Sequence, residues 1–350
     1  MKSHAYKNKV LFCGGLLAAF VALNLGIWQG LTRDILTDAR YDGGDLARMG
    51  YLPEAKLPRR NQVTLPRTHV DLDQYRGEPV DLVTIGDSFS NGGAGGKNRY
   101  YQDYIASFNG LSVLNLRHYR DLDLITTVSV LAKNGFLDRA RPRYLLLESS
   151  EKGVKDLVAG VDFGRSLGME AVSRLSPYPQ AGPPKVPFIN SGNFKFLLNR
   201  LSYRFSDHGL YGGVYLGRLS RPLFSVGEGN RLLYLRYQPE LSGAEVAKLN
   251  DNLNRLADLL AARGIRLVFM PYVDKYTLYC KWLSKKRFPE SGFFEELRPL
   301  PRRYRLIDTK AILRASVEAG EKDVFYPDDT HASWRASELI FSRERFEGQQ

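Results

Sequence analysis

Val80-Asp81-Leu82-Val83-Thr84-Ile85, followed at once by Gly86-Asp87-Ser88, is the stretch on which the fold of this chain turns. A short apolar run rich in β-branched residues and closed by a Gly-Asp turn predicts a buried strand that delivers a serine to the carboxyl edge of a sheet. A glycine-rich loop over residues 91–96 (NGGAGG) comes next, then a helix over about 100–108. Residues 112–116 (SVLNL) read as a second strand, 124–134 as a helix, and 144–148 (YLLLE) as a third strand. Strands alternating with helices at this spacing predict an α/β domain, a parallel sheet flanked by helices.

From 153 to 240 the pattern breaks into prolines and glycines. An irregular insertion of short helices and hairpins is expected there, as a cap facing the substrate. Regularity resumes at Ser242, which with Glu245 forms a capping box. Val246, Leu249, Leu253, Leu256 and Leu260 then recur at helical spacing. Residues 265–270 (IRLVFM) read as a fourth strand, 304–307 as a fifth and 309–319 as a helix.

The N-terminus sets the compartment. Lys2, Lys7 and Lys9 precede an uncharged run over 10–31 (VLFCGGLLAAFVALNLGIWQGL). Twenty-two helical residues rise about 33 Å, against a hydrocarbon core of about 30 Å. Trp28, near the far end, suits an interfacial aromatic belt. The positive flank lies before the run, so the C-terminal bulk is expected outside the cytoplasm. An uncleaved transmembrane anchor is favoured over a cleaved signal peptide, whose apolar region is shorter and whose small-x-small site is missing. The expected organisation is a tip and anchor over 1–31, a polar stalk over 32–78 and an α/β domain over 79–345.

Composition narrows the chemistry. Of 350 residues 43% are hydrophobic, which excludes a disordered chain. Lys plus Arg number 50 and Asp plus Glu 38, a formal charge of 50 − 38 = +12. Outside a membrane that charge suits lipid headgroups or an anionic glycan, and no nucleic-acid partner is expected. Two cysteines, one inside the apolar run, rule out a disulfide scaffold and a thiolate zinc site. Five scattered histidines show no metal-binding spacing, so neither a metal nor a cofactor is expected.

A serine hydroxyl needs a base to become a nucleophile. His4 precedes the anchor, His69 lies in the stalk, His118 sits among Arg117 and Arg120, which would depress its basicity, and His208 is in the insertion. His331 differs, because Asp328 and Asp329 precede it closely enough for a carboxylate to orient one ring nitrogen while the other faces serine. Ser88 and His331 are therefore the candidate pair, with Asp328 or Asp329 completing it.

At this point the chain resembles the SGNH (GDSL) hydrolase superfamily, whose first and last blocks are similar to Gly86-Asp87-Ser88 and Asp328-Asp329-Thr330-His331. Residues 142–151 (PRYLLLESSE) and 269–276 (FMPYVDKY) resemble segments of the SGNH-like polysaccharide O-acetyltransferases related to the alginate O-acetyltransferases. The likeness covers about 80–150 and 242–340. It implies a flavodoxin-like SGNH fold with Ser88 as nucleophile and His331 as base. The superfamily at large uses the third residue before the histidine, Asp328, and the alginate-type enzymes the second, Asp329; both stay open. The Gly-x-Asn-Asp block that normally completes the oxyanion hole is replaced by Glu148-Ser149-Ser150-Glu151. Donors and substrate contacts are therefore expected from the backbone around Gly86, Asp87 and Ser88, from Gly92 and Gly93, and from the Ser149 side chain.

With the anchor read from the N-terminal run making it a single-pass inner-membrane protein with a periplasmic domain, the resemblance implies that this domain moves an acetyl group, through an acetyl-serine, to a polysaccharide hydroxyl. A membrane-bound O-acyltransferase would supply the acetyl group. A cell-envelope carbohydrate esterase of the same fold and a non-catalytic subunit of exopolysaccharide assembly are the alternatives.

Overall fold

The computed structural model describes residues 2–37, 44–52, 59, 63–175, 185–227, 229–235 and 241–347. Helix α1 (Lys2–Ile27) passes through a π-helical turn (Trp28–Thr32) into α2 (Arg33–Thr37). The helical stretch Tyr6–Thr37 is long and apolar enough to cross a membrane. Trp28 does not lie in an outward-facing aromatic belt, because its side chain is buried against the rest of the chain.

After α3 (Asp45–Met49) and the short strand β1 (Val70–Asp71), the chain alternates as β2 (Leu82–Ile85), α4 (Tyr101–Asn109), β3 (Val113–Leu116), α5 (Leu124–Lys133), α6 (Phe136–Ala140) and β4 (Tyr144–Ser150). The insertion holds α7 (Ser191–Phe205) and the antiparallel pair β5 (Val214–Arg218) and β6 (Arg231–Leu235). Then come α8 (Gly243–Ala261), β7 (Arg266–Tyr272), α9 (Lys275–Tyr279), α10 (Phe293–Leu297), β8 (Arg305–Leu306), α11 (Thr309–Glu318) and α12 (Trp334–Phe341).

Strands pair in the order β1-β3-β2-β4-β7-β8, every pair parallel. Helices on both faces explain why β2 and β3 are buried at all four positions and read as continuous apolar runs, without alternation. The capping box at Ser242 forms, and α8 buries Val246, Leu249, Leu253, Leu256 and Leu260. Without the two-residue β1, the order is 2-1-3-4-5, so the winding direction reverses between β2 and β4. Open sheets bind ligands above the carboxyl ends of the strands at such a point, and Ser88 follows β2 there.

The stretch 32–78 is not a stalk in its described residues. β1 pairs with β3, and α3 packs Leu46, with Leu52, against Val214 and Leu233 of the insertion. The polar composition that suggested a solvated linker belongs to paired groups. His69 Nδ1 lies 2.6 Å from Asp103 on α4, with Asp71 3.6 Å from its other nitrogen. The insertion is no simple lid either. Its first turn, Gly153–Leu157, borders a cleft that Asp87 also lines, whereas α7 packs on the Trp28–Thr32 turn.

Burial alone would lower the pKa of His69, but the hydrogen bonds and charges of Asp103 and Asp71 outweigh it and raise the value from 6.5 to about 9. A raised folded value means that the contribution is complete below about pH 6.5 and fades as pH climbs toward about 9. His69→Gln should therefore cost roughly 1.5–3 kcal/mol in mildly acidic buffer and flatten the stability profile across that window. Thermal unfolding of the detergent-solubilised chain at a series of pH values checks this; an unchanged slope would refute it.

Candidate active site

Ser88 sits in the turn after β2, and the geometry of that turn is forced by packing. A Cβ on Gly86 would run into Ser90 Oγ and Glu148 Oε2, so only glycine lets the chain pass β4 this closely. Glu148 is fully buried on β4, and its Oε2 accepts from Asp87 N at 3.1 Å, Ser90 N at 3.2 Å and Ser90 Oγ at 2.8 Å. Burial, reinforced by the nearby charge of Asp87, pushes its carboxyl well above the usual range. The Asp87 carboxylate accepts from Phe89 N at 3.0 Å and from Ser150 N at 2.8 Å, tying the turn to the end of β4.

Opposite this turn stands His331. Its Nε2 lies 2.8 Å from Ser88 Oγ, and its Nδ1 lies 2.8 Å from Asp329 Oδ1. The same carboxylate oxygen accepts the His331 backbone N–H at 2.9 Å. With Nδ1 protonated, the ring accepts from the serine hydroxyl, as general-base activation requires. The sequence left Asp328 and Asp329 equivalent, and the backbone separates them. Asp329 faces the imidazole, whereas Asp328 turns away to accept from Gly44 N at 2.8 Å and from Arg59 at 2.7 Å.

The turn carrying His331 is held from three directions. Lys275, buried at the start of α9, donates Nζ to the carbonyls of Tyr326, Pro327 and Asp329 at 2.8, 3.0 and 2.9 Å. Arg59 reaches Asp329 at 3.1 Å, donates to the Ala94 carbonyl at 3.1 Å and lies over the Tyr326 ring. Asp45, at the start of α3, accepts from Thr330 N at 2.7 Å and from its hydroxyl, and comes within 3.9 Å of His331 Nδ1. Burial alone would lower the pKa of His331, but Asp329, with help from Asp45 and Asp87, raises it above 6.5. Burial would raise Asp329, but His331 and Arg59 hold it well below the ordinary carboxylate range.

The glycine loop plays a different part from the one expected. Gly93 N donates to the Ser88 carbonyl at 3.0 Å and Gly92 N to that of Phe89 at 3.4 Å, so both amides close the turn and neither is offered to an oxyanion. Gly93 is instead a point of close approach, since a Cβ there would lie 2.5 Å from His331 Nε2. What remains is the N–H of Ser88, for which the described residues provide no acceptor. Ser149 Oγ makes a long contact of 3.3 Å to the Ser150 carbonyl. With Asp87, His118, Arg120 and Gly153 it lines a cleft of about 470 Å³ that meets the serine turn at Asp87. The pKa of His118 is lowered as expected, but by burial and not by the neighbouring arginines.

Asp45, Asp329 and His331 lie within 4.8 Å of one another, close enough to consider a cation. Their donor atoms are already committed: both Asp45 oxygens to Thr330, and the two Asp329 oxygens to His331 and Arg59. The set fits a hydrogen-bond network better than a coordination shell. Among these groups, Asp45, Arg59, Glu148 and Lys275 were not read as site residues from the sequence. Asp274 caps α9 through Tyr276 N at 2.7 Å, while its neighbour Lys275 turns to the loop.

No protein-family model matches the chain, and no curated protein matches it significantly.

The line Ser88–His331–Asp329 makes a quantitative expectation. Asp329→Asn should slow the reaction of Ser88 with a serine-directed fluorophosphonate by on the order of 10³–10⁴-fold. In the unaltered chain that rate should rise with pH through a midpoint above 6.5, where the imidazole loses its proton. Asp45→Asn removes a negative charge that favours the imidazolium, so it should move the midpoint downward. Labelling rates across pH decide the matter, and a midpoint unmoved by Asp45→Asn would exclude the assigned electrostatics.

Proposed function

We propose that this chain is a membrane-anchored O-acetyltransferase of the SGNH type that carries acetyl groups on Ser88 and delivers them to a polysaccharide hydroxyl outside the cytoplasm. The observation that carries the reading is the proton path from Ser88 Oγ to His331 Nε2, with Asp329 behind the ring. The strand order, which is that of flavodoxin-like sheets, agrees with it. So does the apolar helix Tyr6–Thr37, with its lysines on the N-terminal side.

In the first half-reaction Ser88 Oγ attacks the acetyl carbonyl and its proton passes to His331 Nε2. The charge on the carbonyl oxygen faces the Ser88 N–H. The donor's oxygen or sulfur leaves with the proton returned from His331, and acetyl-Ser88 remains. In the second, a sugar hydroxyl in the cleft gives its proton to the same nitrogen and attacks the ester. Ser88 Oγ departs and recovers its hydrogen. The cleft that reaches the serine turn at Asp87 supports transfer, because His118, Arg120 and Ser149 in its wall offer a carbohydrate several hydrogen-bonding partners. A membrane-bound acyltransferase is the proposed source of acetyl groups.

Full-length protein in nanodiscs, given 4-nitrophenyl acetate and a panel of oligosaccharides, tests this. Intact-mass analysis should find one acetyl group on Ser88, absent in Ser88→Ala, and acetylated sugar among the products. Arg120→Ala should raise KM for the acceptor while the rate of acetyl-serine formation stays the same. Release of acetate to water with every acceptor tried would make the protein an esterase. Failure to form acetyl-Ser88 at all would leave the assembly-subunit alternative.

A further inference from the structure

Helix α7 carries an apolar face that nothing among the described residues covers. Phe194, Leu198, Leu201 and Phe205 recur at i, i+4, i+7 and i+11 with Leu197 alongside, and all are exposed, Phe205 to 84%. The opposite face is buried through Asn193, Phe196 and Asn199. Exposed Phe188 and Ile189 precede the helix, and Leu210 and Tyr211 follow it. An apolar stripe this long on the outside of a folded domain marks a contact surface.

Its neighbour identifies what covers it. The Phe194 ring stacks on Phe20 of α1 with centroids 6.1 Å apart, and both residues remain exposed. Asn193 Nδ2 donates to Asn24 Oδ1 at 3.0 Å, and Thr32 Oγ1 donates to Asn193 Oδ1 at 2.5 Å. Asn24 lies fourteen residues beyond Val10, about 21 Å along the helix, and thus inside a hydrocarbon layer of about 30 Å that begins at Val10. A polar side chain at that depth needs an internal partner, and α7 provides it. The start of α7 therefore sits below the headgroups, and its apolar stripe continues the lipid-facing surface of α1.

Charge agrees. Residues 185–206 contain Lys185, Lys195, Arg200 and Arg204 and no Asp or Glu. Basic side chains bordering an apolar stripe are the pattern of helices that lie in a bilayer interface, where the cations extend toward phosphate.

We infer that α7 is a second membrane-embedded element, seated in the same leaflet as the C-terminal half of α1, and that its occupant is phospholipid. The inference rests on the anchored reading of α1, and one experiment separates the two. Full-length protein is reconstituted in nanodiscs of phosphatidylethanolamine and phosphatidylglycerol and spin-labelled at one site at a time. The sites are the native Cys13 on α1, and Leu201→Cys, Phe205→Cys and the control Glu318→Cys in a Cys13→Ser background. Cys280 is buried and stays unlabelled.

The labels on α7 should relax several-fold faster with oxygen than with a water-soluble nickel chelate, as Cys13 should, while position 318 shows the reverse. If Cys13 behaves as lipid-exposed and both α7 labels behave as water-exposed, α7 does not enter the bilayer and the inference fails while the anchor stands. If Cys13 itself behaves as water-exposed, the anchor reading fails and takes this inference with it.

Discussion

Two adjacent carboxylates, Asp328 and Asp329, are buried in one turn of the chain, and the rest of the site is arranged around that fact. Each unpaired buried charge would cost several kcal/mol, so the turn exists only where cations and N–H groups converge on it. Arg59 bridges both acids, the Gly44 amide meets one and the His331 ring the other. Lys275 adds a further positive charge against the carbonyls of the same turn. The imidazole is fixed in position because so many partners compete for the oxygens that surround it.

Environment moves the acids of the site in opposite directions. His331 and Arg59 hold Asp329 low, whereas burial pushes Glu148 up. Burial and the charge of Asp329 push Asp45 upward. The serine is thus approached by a carboxylate acting through the histidine on one side, and its turn rests on a buried acid on the other.

The sheet was legible from sequence because its strands are buried on both faces and announce themselves as apolar runs. β2, β3, β4 and β7 fall within a few residues of their expected limits. Ser88 and His331 were legible as well, since a turn after a strand and a carboxylate near a histidine are local patterns. The supporting shell was not. Asp45 and Arg59 come from a polar segment whose contacts with residues 328–331 span more than two hundred positions. No periodicity reports such a contact. Glu148 was hidden for the opposite reason, being an acid inside a strand whose role depends on the turn of a neighbouring strand. The choice between Asp328 and Asp329 needed the backbone direction, which spacing does not supply.

Gly44, which donates to Asp328, stands seven residues after Thr37, the last residue of the N-terminal helix. Even a fully extended chain covers only about 25 Å in that interval. The turn bearing the imidazole is consequently leashed to the end of the apolar N-terminal helix, which is long enough to cross a membrane, and cannot move far from it. On the proposed reading, a polymer would be decorated at the bilayer surface, close to where it emerges, and strands already released would drift beyond reach.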